Sequence, residues 1–499
     1  MNNDQINDLI KSYSSDFDYN KKETAIILAA GHGKRIKSNT SKMLHRIWEV
    51  PTVERVCNAC LESLGDANII IVVGIKAEEV IKTVGKRNSL LYAYQEVQNG
   101  TGHAVQVALE NIVPNKYEGS IYVLPGDMGL IDAATVNDFK NYFMSSGTDM
   151  LVLTGMFEGK TEENYYGRVV RVPLSGKSGK RPTNYGNVIE IIEYKDIVNL
   201  PDNKPYKVKY KNKMISFTKK DLIENREFNS GVYAFDFKLL NSLIKEIRSE
   251  NVQKEIYLTD LIYLFNTHGY RVSAVSPAEQ YVLMGFNNKS VLKEMDAVAR
   301  RLVYEKIKDV ISIDDPDDFF IDESVVNEIL KMDLAGNPLD IKIGKGVFVG
   351  RGVKLNYNTS LMKNAYLSGE ICLGKNVTIK ENVQLSCYYG QKIELSDNVE
   401  IFSGNILKGN ISVGENSVIE SGVRITGNDE YPVIIGNNVT VKGVTYIFGS
   451  IVENSMMIEH SVIVRKRIRK PESARQEKLK VRYFIPETEG LDAIEDLKK

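Results

Sequence analysis

A chain of 499 residues in which 64 Lys and Arg face 65 Asp and Glu, for a formal charge of -1, has no overall field to draw it to nucleic acid or to an anionic membrane surface. The length leaves room for two or three domains, and no apolar run nears the roughly 18 residues of a membrane span. The polar start MNNDQINDLIKSYSSDFD lacks the basic region and apolar stretch of a signal peptide, and four cysteines fit a reducing compartment, so a cytoplasmic protein with neither nucleic acid nor membrane as partner is expected.

Residues 1–22 read as an N-terminal extension. The apolar run AIILAA (25–30) then breaks at Gly31-His32-Gly33 and gathers Lys34, Arg35, Lys37 and Lys42. The third glycine of G-x-G-x-x-G is missing, since Ile36 follows Arg35, and no G-x-x-x-x-G-K-[ST] can be drawn. A glycine turn followed by cations remains. Gly31 and Gly33 let backbone N–H groups approach a phosphate closely, Arg35 offers a two-pronged fork, and Lys42 a point charge. The same stretch also suits an ordinary strand-to-helix turn with solvated lysines.

The periodicity of TVERVCNACLESLG predicts a helix over 52–64, with Cys57 and Cys60 on one face as core residues rather than a metal or redox pair. NIIIVVGI follows as a buried strand, AEEVIKTVGKR as a helix, SLLYAYQEV as a strand, GTGHAVQVALENI as a glycine turn into a helix, and GSIYVLPGDMGLI as a strand ending at Asp127. This alternation predicts an open, mostly parallel sheet with helices on both faces and ligands beyond the strands' carboxyl ends. Gln95 can donate and accept against a base edge, and the Gly100-Thr101-Gly102 backbone can lie flat against a base or ribose. His103 suits a structural hydrogen bond at the helix start. Asp127 can hold Mg²⁺ against phosphate oxygens or merely cap a helix, and Asn287 in GFNN offers a neutral oxygen ligand.

PLSGKSGKRPTNYGN (173–187) reads as a loop or insertion between the strands YGRVVRV and VIEIIEY, and the polar, basic stretch 199–227 as an elaboration of the same domain. That domain is expected over 23–289. SVLKEMDAVARRLVYEKIKDV (290–310) has helical periodicity and opens a helical linker over 290–340. From 341 to 465 a six-residue period runs through IGKGVFVGRGVKL, LGKNVTIKENVQL, VGENSVIESGVRI and IGNNVTVKGVTYI, interrupted near CYYGQK and TGNDEYP. It predicts a parallel β-helix, with the left-handed hexapeptide form the better fit. The tail 466–499 is basic and reads as a solvated helix or arm.

LAAG-x-G-x-R, Lys42 with its following LH, Q-x-x-x-x-GTGHA, PGD, YYGR, IIEYKD, EFNSGVY, YLTD and GFNN occur in one order. In this the chain resembles the bacterial N-acetylglucosamine-1-phosphate uridylyltransferases over roughly residues 23–460. The resemblance implies a Rossmann-like nucleotidyltransferase domain with a mixed, mostly parallel sheet, followed by a left-handed parallel β-helix. It implies Mg²⁺-assisted attack of a sugar-1-phosphate on the α-phosphorus of UTP, releasing pyrophosphate. Ala29, Gly31, Gln95, Gly100 and Thr101 would contact the nucleotide, Arg35 and Lys42 the phosphates, Asp127 and Asn287 the metal, and Gly167, Glu193 and Asn229 the sugar. A homotrimer assembled through the β-helix is also implied.

Four departures qualify the resemblance. Ser41 stands where a proline normally precedes the lysine, and Lys34 where a serine or threonine is common. The insertions lie between the residues meant to read the sugar, which keeps open another sugar-1-phosphate, or a non-catalytic sugar-nucleotide scaffold. In two-activity members the β-helix acetylates glucosamine-1-phosphate with a histidine base, but here His460 is the sole histidine after His268, so that activity is expected to be absent.

Overall fold

The structure, a computed structural model, describes residues 2–31, 33, 36–174, 185–211, 213–248, 254–471 and 478–483. The chain divides into two compact units, Met1–Asp296 and Ala297–Lys499. No helix among the described residues is long and apolar enough to cross a membrane.

The first unit is built on a nine-stranded sheet. Its strands are β1 (Glu23–Ala29), β2 (Ala67–Val73), β3 (Leu90–Tyr94), β4 (Ser120–Pro125), β5 (Met150–Met156), β6 (Arg168–Arg171), β7 (Val188–Ile192), β8 (Glu227–Asp236) and β9 (Val272–Val275). The order β9-β5-β8-β4-β1-β2-β3 is parallel except that β8 runs antiparallel between β4 and β5; β6 pairs antiparallel with both β8 and β7. Strands such as ANIIIVV are apolar at nearly every position because both faces are covered. Along β1, Ala25, Ile27 and Ala29 face one core and Ile26 the other.

Helix α1 (Asn3–Tyr13) precedes β1, and α2 (Thr52–Ser63), α3 (Ala77–Val84), α4 (Thr101–Leu109) and α5 (Ala133–Ser146) follow in chain order. In α2 Cys57 and Cys60 are buried beside Val53 and Val56 as free thiols, and burial pushes the Cys57 thiol up to about 11. The stretch 199–227 forms a hairpin, Tyr206–Tyr210 with Lys213–Phe217, and a short helix, Lys219–Glu224. Val208 and Leu222 of this insertion share a small separate core with Val170 and Ile189. The basic stretch GKSGKR falls wholly outside the described residues.

The second unit is a stack of coils whose short parallel strands form three sheets of nine, eight and seven strands. Ile343 pairs with Leu361 and Leu361 with Ile379, so each coil's aliphatic residue lies on the next; these three are fully buried. This is the left-handed β-helix class of fold. At one corner Asn358, Asn376, Asn398 and Asn416 stack through side-chain amide bonds, all four at positive φ. The coil repeat is 18 residues at Asn358–Asn376 and 22 at Asn376–Asn398, where CYYGQK interrupts the period.

Two expected boundaries shift. The linker read at 290–340 is helical at Lys289–Ile307 and Glu323–Asp333, but Ser312–Ile313 and Phe319–Ile321 between these helices already pair with Lys342–Ile343 and Val347–Val349 as coil strands. At the other end Arg467–Ile468 and Leu479–Val481 extend the stack, so this part of the basic tail is strand rather than helix or free arm. Buried Glu459 explains the second, since Lys480 at 2.7 Å and Arg482 at 3.0 Å neutralise it. Periodicity failed at both ends because single two- or three-residue strands carry no repeat of their own.

Candidate active site

β1 is where the strand order reverses, with β2 and β3 on one side and β4 on the other, so the connections leave a crevice at its carboxyl end. A cleft of about 910 Å³ lies there, lined by Gly31, Gly33, Lys42 and Asn287 and by Gln95, Gly100 and Thr101. Glu193, Asn229 and Tyr233 line it as well. Ala29 and Gly167 are buried and do not line it, and Arg35 lies outside the described residues.

Lys42 opens a single 3-10 turn, Lys42–Leu44, and buried Ser41 precedes it. Its Nζ lies 2.5 Å from Asp127 Oδ2, donates to Asn287 Oδ1 at 3.0 Å, and sits 5.4 Å from the centre of the Phe286 ring. One cation thus ties together a carboxylate that follows β4 and an amide 245 residues away from the lysine in sequence. Gly285 carries no side chain because a Cβ there would stand 3.2 Å from Asp127 Oδ2.

The glycines divide by what faces them. Among the described residues a Cβ on Gly31 would meet only the Met43 Cε, at 4.0 Å, so none of them fills the space over Gly31. Gly33 has φ +59°, and its Cβ would strike Lys42 Cβ at 2.7 Å, so it makes room for the lysine stem as much as for a phosphate. Gly100, at φ +97°, and Gly102 lie against Ile256, whose carbonyl would be 2.5 Å and 2.9 Å from the added carbons. The side on which each would carry a Cβ is therefore filled by a protein backbone, while Gly100 still lines the cleft. Ile256 O accepts from Gly102 N at 2.8 Å, and Thr101 Oγ1 accepts from Leu258 N at 3.1 Å.

Gln95 is buried, and its Nε2 donates to Gly100 O at 3.1 Å and lies 3.2 Å from His103 Nδ1. His103 Nδ1 is also 3.0 Å from Val97 O, a structural hydrogen-bonding position at the start of α4.

A β-bulge lies between Asn229 and Val232 of β8, and Asn229 lines the cleft. Asn229 N donates to Gly167 O at 2.9 Å, and Asn229 Oδ1 accepts from Tyr233 Oη at 2.9 Å and from Gly231 N at 3.0 Å. Glu193 follows β7 and caps no backbone group. Gly167 is glycine because a Cβ would stand 2.9 Å from Ile191 Cγ2 and 3.2 Å from Glu193 Oε1. Burial, then the negative charges of Asp196, Asp260 and Glu255, push the Glu193 carboxyl up to about 7. Beyond Glu193 a second hollow of about 1150 Å³ continues past Glu190, Asp260 and Tyr206.

A family profile described as the MobA-like NTP transferase domain matches residues 25–164. The bifunctional protein GlmU of Caldanaerobacter subterraneus subsp. tengcongensis is 33% identical over 363 residues, covering 71% of this chain and 70% of that one. The chain belongs to the GlmU family. The GlmU of Acetivibrio thermocellus is 34% identical over 302 residues, spanning 60% of this chain and 57% of its own length. A solved UDP-glucose pyrophosphorylase complexed with UDP-glucose overlaps 56% of this chain and 99% of its own, at 14% identity and a TM-score of 0.40.

This GlmU-family chain is an enzyme of the nucleotidyltransferase kind. Two buried residues that support the site carry little signal in the sequence. Phe286 is fully buried beneath the Lys42 ammonium, and its aromatic character next to GFNN's Asn287 was the one available clue. Arg168 of YYGR is also fully buried, donating to Asn164 O at 2.7 Å and to Tyr166 O, which holds the turn that ends at Gly167. Only the packing of three separate segments shows what these two do.

Proposed function

We propose that the enzyme makes UDP-N-acetylglucosamine and pyrophosphate from UTP and N-acetylglucosamine-1-phosphate. One observation carries the reading. A single cleft is lined both by a cation set between two oxygen donors, Lys42 between Asp127 and Asn287, and by the polar pair Glu193 and Asn229. Such a lining suits a nucleotide's phosphates together with a phosphorylated sugar.

In this reading an oxygen of the sugar phosphate attacks the α-phosphorus of UTP, a new P–O bond forms, and pyrophosphate leaves with the electrons of the broken bond. The protein's work is positioning and charge neutralisation. Backbone at the open face of Gly31 approaches the nucleotide, Gln95 and Thr101 flank it, and Arg35 and Lys42 neutralise the phosphates. Asn229 and Glu193 take sugar hydroxyl and N-acetyl groups; near pH 7 Glu193 is poised between donating and accepting.

Asp127 Oδ2 and Asn287 Oδ1 already converge on one positive centre, and hard oxygen donors of this kind suit Mg²⁺. When bound, Mg²⁺ would supply charge stabilisation at the phosphate oxygens. Two further elements belong to the proposal. The coil stack carries one exposed histidine, His460 at φ +42°, and no acetyl transfer is assigned to it. Phe320, Phe348 and Tyr366 stack on its outer face at 4.6 and 4.8 Å, an aromatic strip that suits a homotrimer in the cytoplasm.

The test is pyrophosphate release with UTP, Mg²⁺ and a panel of sugar-1-phosphates, run beside a thiol-release assay with acetyl-CoA and glucosamine-1-phosphate. Release with N-acetylglucosamine-1-phosphate and no thiol is the expected result. Preference for another sugar is the alternative that the hollow beyond Glu193 favours, because Tyr206 of the inserted hairpin lines it together with Glu190. Release with no sugar at all would leave a non-catalytic scaffold.

A further inference from the structure

The segment ahead of β1 has no part in the chemistry above, yet it is fastened to the wall of the cleft. Helix α1 starts in a closed capping box, with Gln5 N donating to Asn2 Oδ1 at 2.9 Å and Asn2 N to Gln5 Oε1 at 3.0 Å. Its apolar face, Ile6, Leu9, Ile10 and Tyr13, packs into the core that contains Val80 of α3 and Tyr92 of β3. At its end Tyr92 N donates to Ser14 Oγ at 3.0 Å and Ser15 N to Leu90 O at 2.8 Å. The helix is thus held at its start, along its length and at its exit.

This framework presents Asn3 to the residue after Gln95. Asn3 Nδ2 donates to Glu96 Oε1 at 2.6 Å, and the Tyr94 hydroxyl donates to Asn3 Oδ1 at 3.4 Å. Glu96, Val97 and Gln98 line the cleft. The segment 95–100 is therefore held from inside by Gln95 Nε2 on Gly100 O and from outside by Asn3 on Glu96.

We propose that α1 is a positioning element of the nucleotide subsite, and that Asn3, acting through Glu96, sets the path of residues 95–100. The inference rests on the reading that this cleft takes UTP. Asn3 touches no reacting group. Its effect is to order the loop before the ligand arrives, so that less ordering is left to be done on binding. That effect belongs to nucleotide affinity and not to the chemical step.

The experiment is UTP-dependent pyrophosphate release at saturating sugar-1-phosphate for the wild type, Asn3→Ala, Glu96→Ala, Glu96→Gln and the double variant Asn3→Ala/Glu96→Ala. The KM for UTP is expected to rise about three- to tenfold in each single alanine variant, with kcat, sugar KM and thermal midpoint held. The double variant should be no worse than the weaker single one, since both remove the same bond, and Glu96→Gln should recover most of the loss because its amide oxygen still accepts. Single variants within twofold of wild type overturn the proposal, as do sugar KM and kcat shifting as far as UTP KM, which marks general loosening. Wild-type protein that neither turns over UTP nor binds it by calorimetry overturns the cleft reading and this proposal together.

Discussion

The Lys42 ammonium lies 2.5 Å from Asp127 and bonds Asn287 at 3.0 Å, so it occupies the point between the two oxygens proposed to hold a divalent cation. Lysine and metal then compete for the same donors, and the phosphates of an incoming nucleotide would draw Lys42 away. Replacing Lys42 by Met should tighten Mn²⁺ binding without nucleotide, read by electron paramagnetic resonance, while lowering pyrophosphate release by about 10²-fold or more. Asp127→Asn should weaken both metal binding and turnover. Unchanged Mg²⁺-dependent turnover in Asp127→Asn would remove the metal site from the proposal.

The open and closed glycines make opposite predictions. Gly31→Ala adds a carbon with only Met43 near it among the described residues, so stability should hold while the KM for UTP rises. Gly102→Ala places its carbon 2.7 Å from Ile256 Cγ2 and 2.9 Å from Ile256 O, and should cost about 1–3 kcal/mol in a urea titration. If Gly31→Ala unfolds earlier than Gly102→Ala, the division of roles is wrong.

Glu193 should give the protein a pH signature. Its carboxyl is held at about 7 against an ordinary 4.5, so between these values the folded state binds the proton more tightly than the unfolded chain. The contribution to stability is fully present below about pH 4.5 and is lost as pH climbs through 7. Glu193→Gln should therefore melt higher than wild type at pH 8 and close to it at pH 5, with a raised KM for the sugar-1-phosphate. Parallel melting curves across that range would show that Glu193 is not a strained acid.

In the coil stack, Asn398 adopts φ +59°, donates to Asn416 at 3.0 Å and accepts from Asn376 at 2.8 Å. Asn398→Gly keeps the left-handed backbone and should lose only the amide bonds. Asn398→Val should cost a further 1–2 kcal/mol or so from steric strain at positive φ, visible as a lower urea midpoint. Equal losses in the two variants would mean the ladder matters and the backbone conformation does not.

Much of the molecule was legible because its signals are local and periodic. The β1 to β4 alternation carries a period that burial on two faces imposes, and the six-residue repeat carries one that stacking imposes. Gly33, Gly100 and Gly102 show the limit. Each is glycine, as a ligand loop requires, but the neighbour that requires it is Lys42 or Ile256, which no local pattern names. Gly167 is the same case, with Ile191 and Glu193 as the neighbours.

By itself the sequence determined the two folds and the chemistry on offer at the cleft, since motif order and hydrophobic period follow from backbone geometry and from which residue types can meet phosphate. Only the tertiary structure decided which groups share a point in space. It set Lys42 between Asp127 and Asn287 across 245 residues, buried Glu193 among other acids, and brought Asn3 to Glu96. Those relations depend on packing between distant segments, and the distance and burial that fix their strength exist only once the chain has folded.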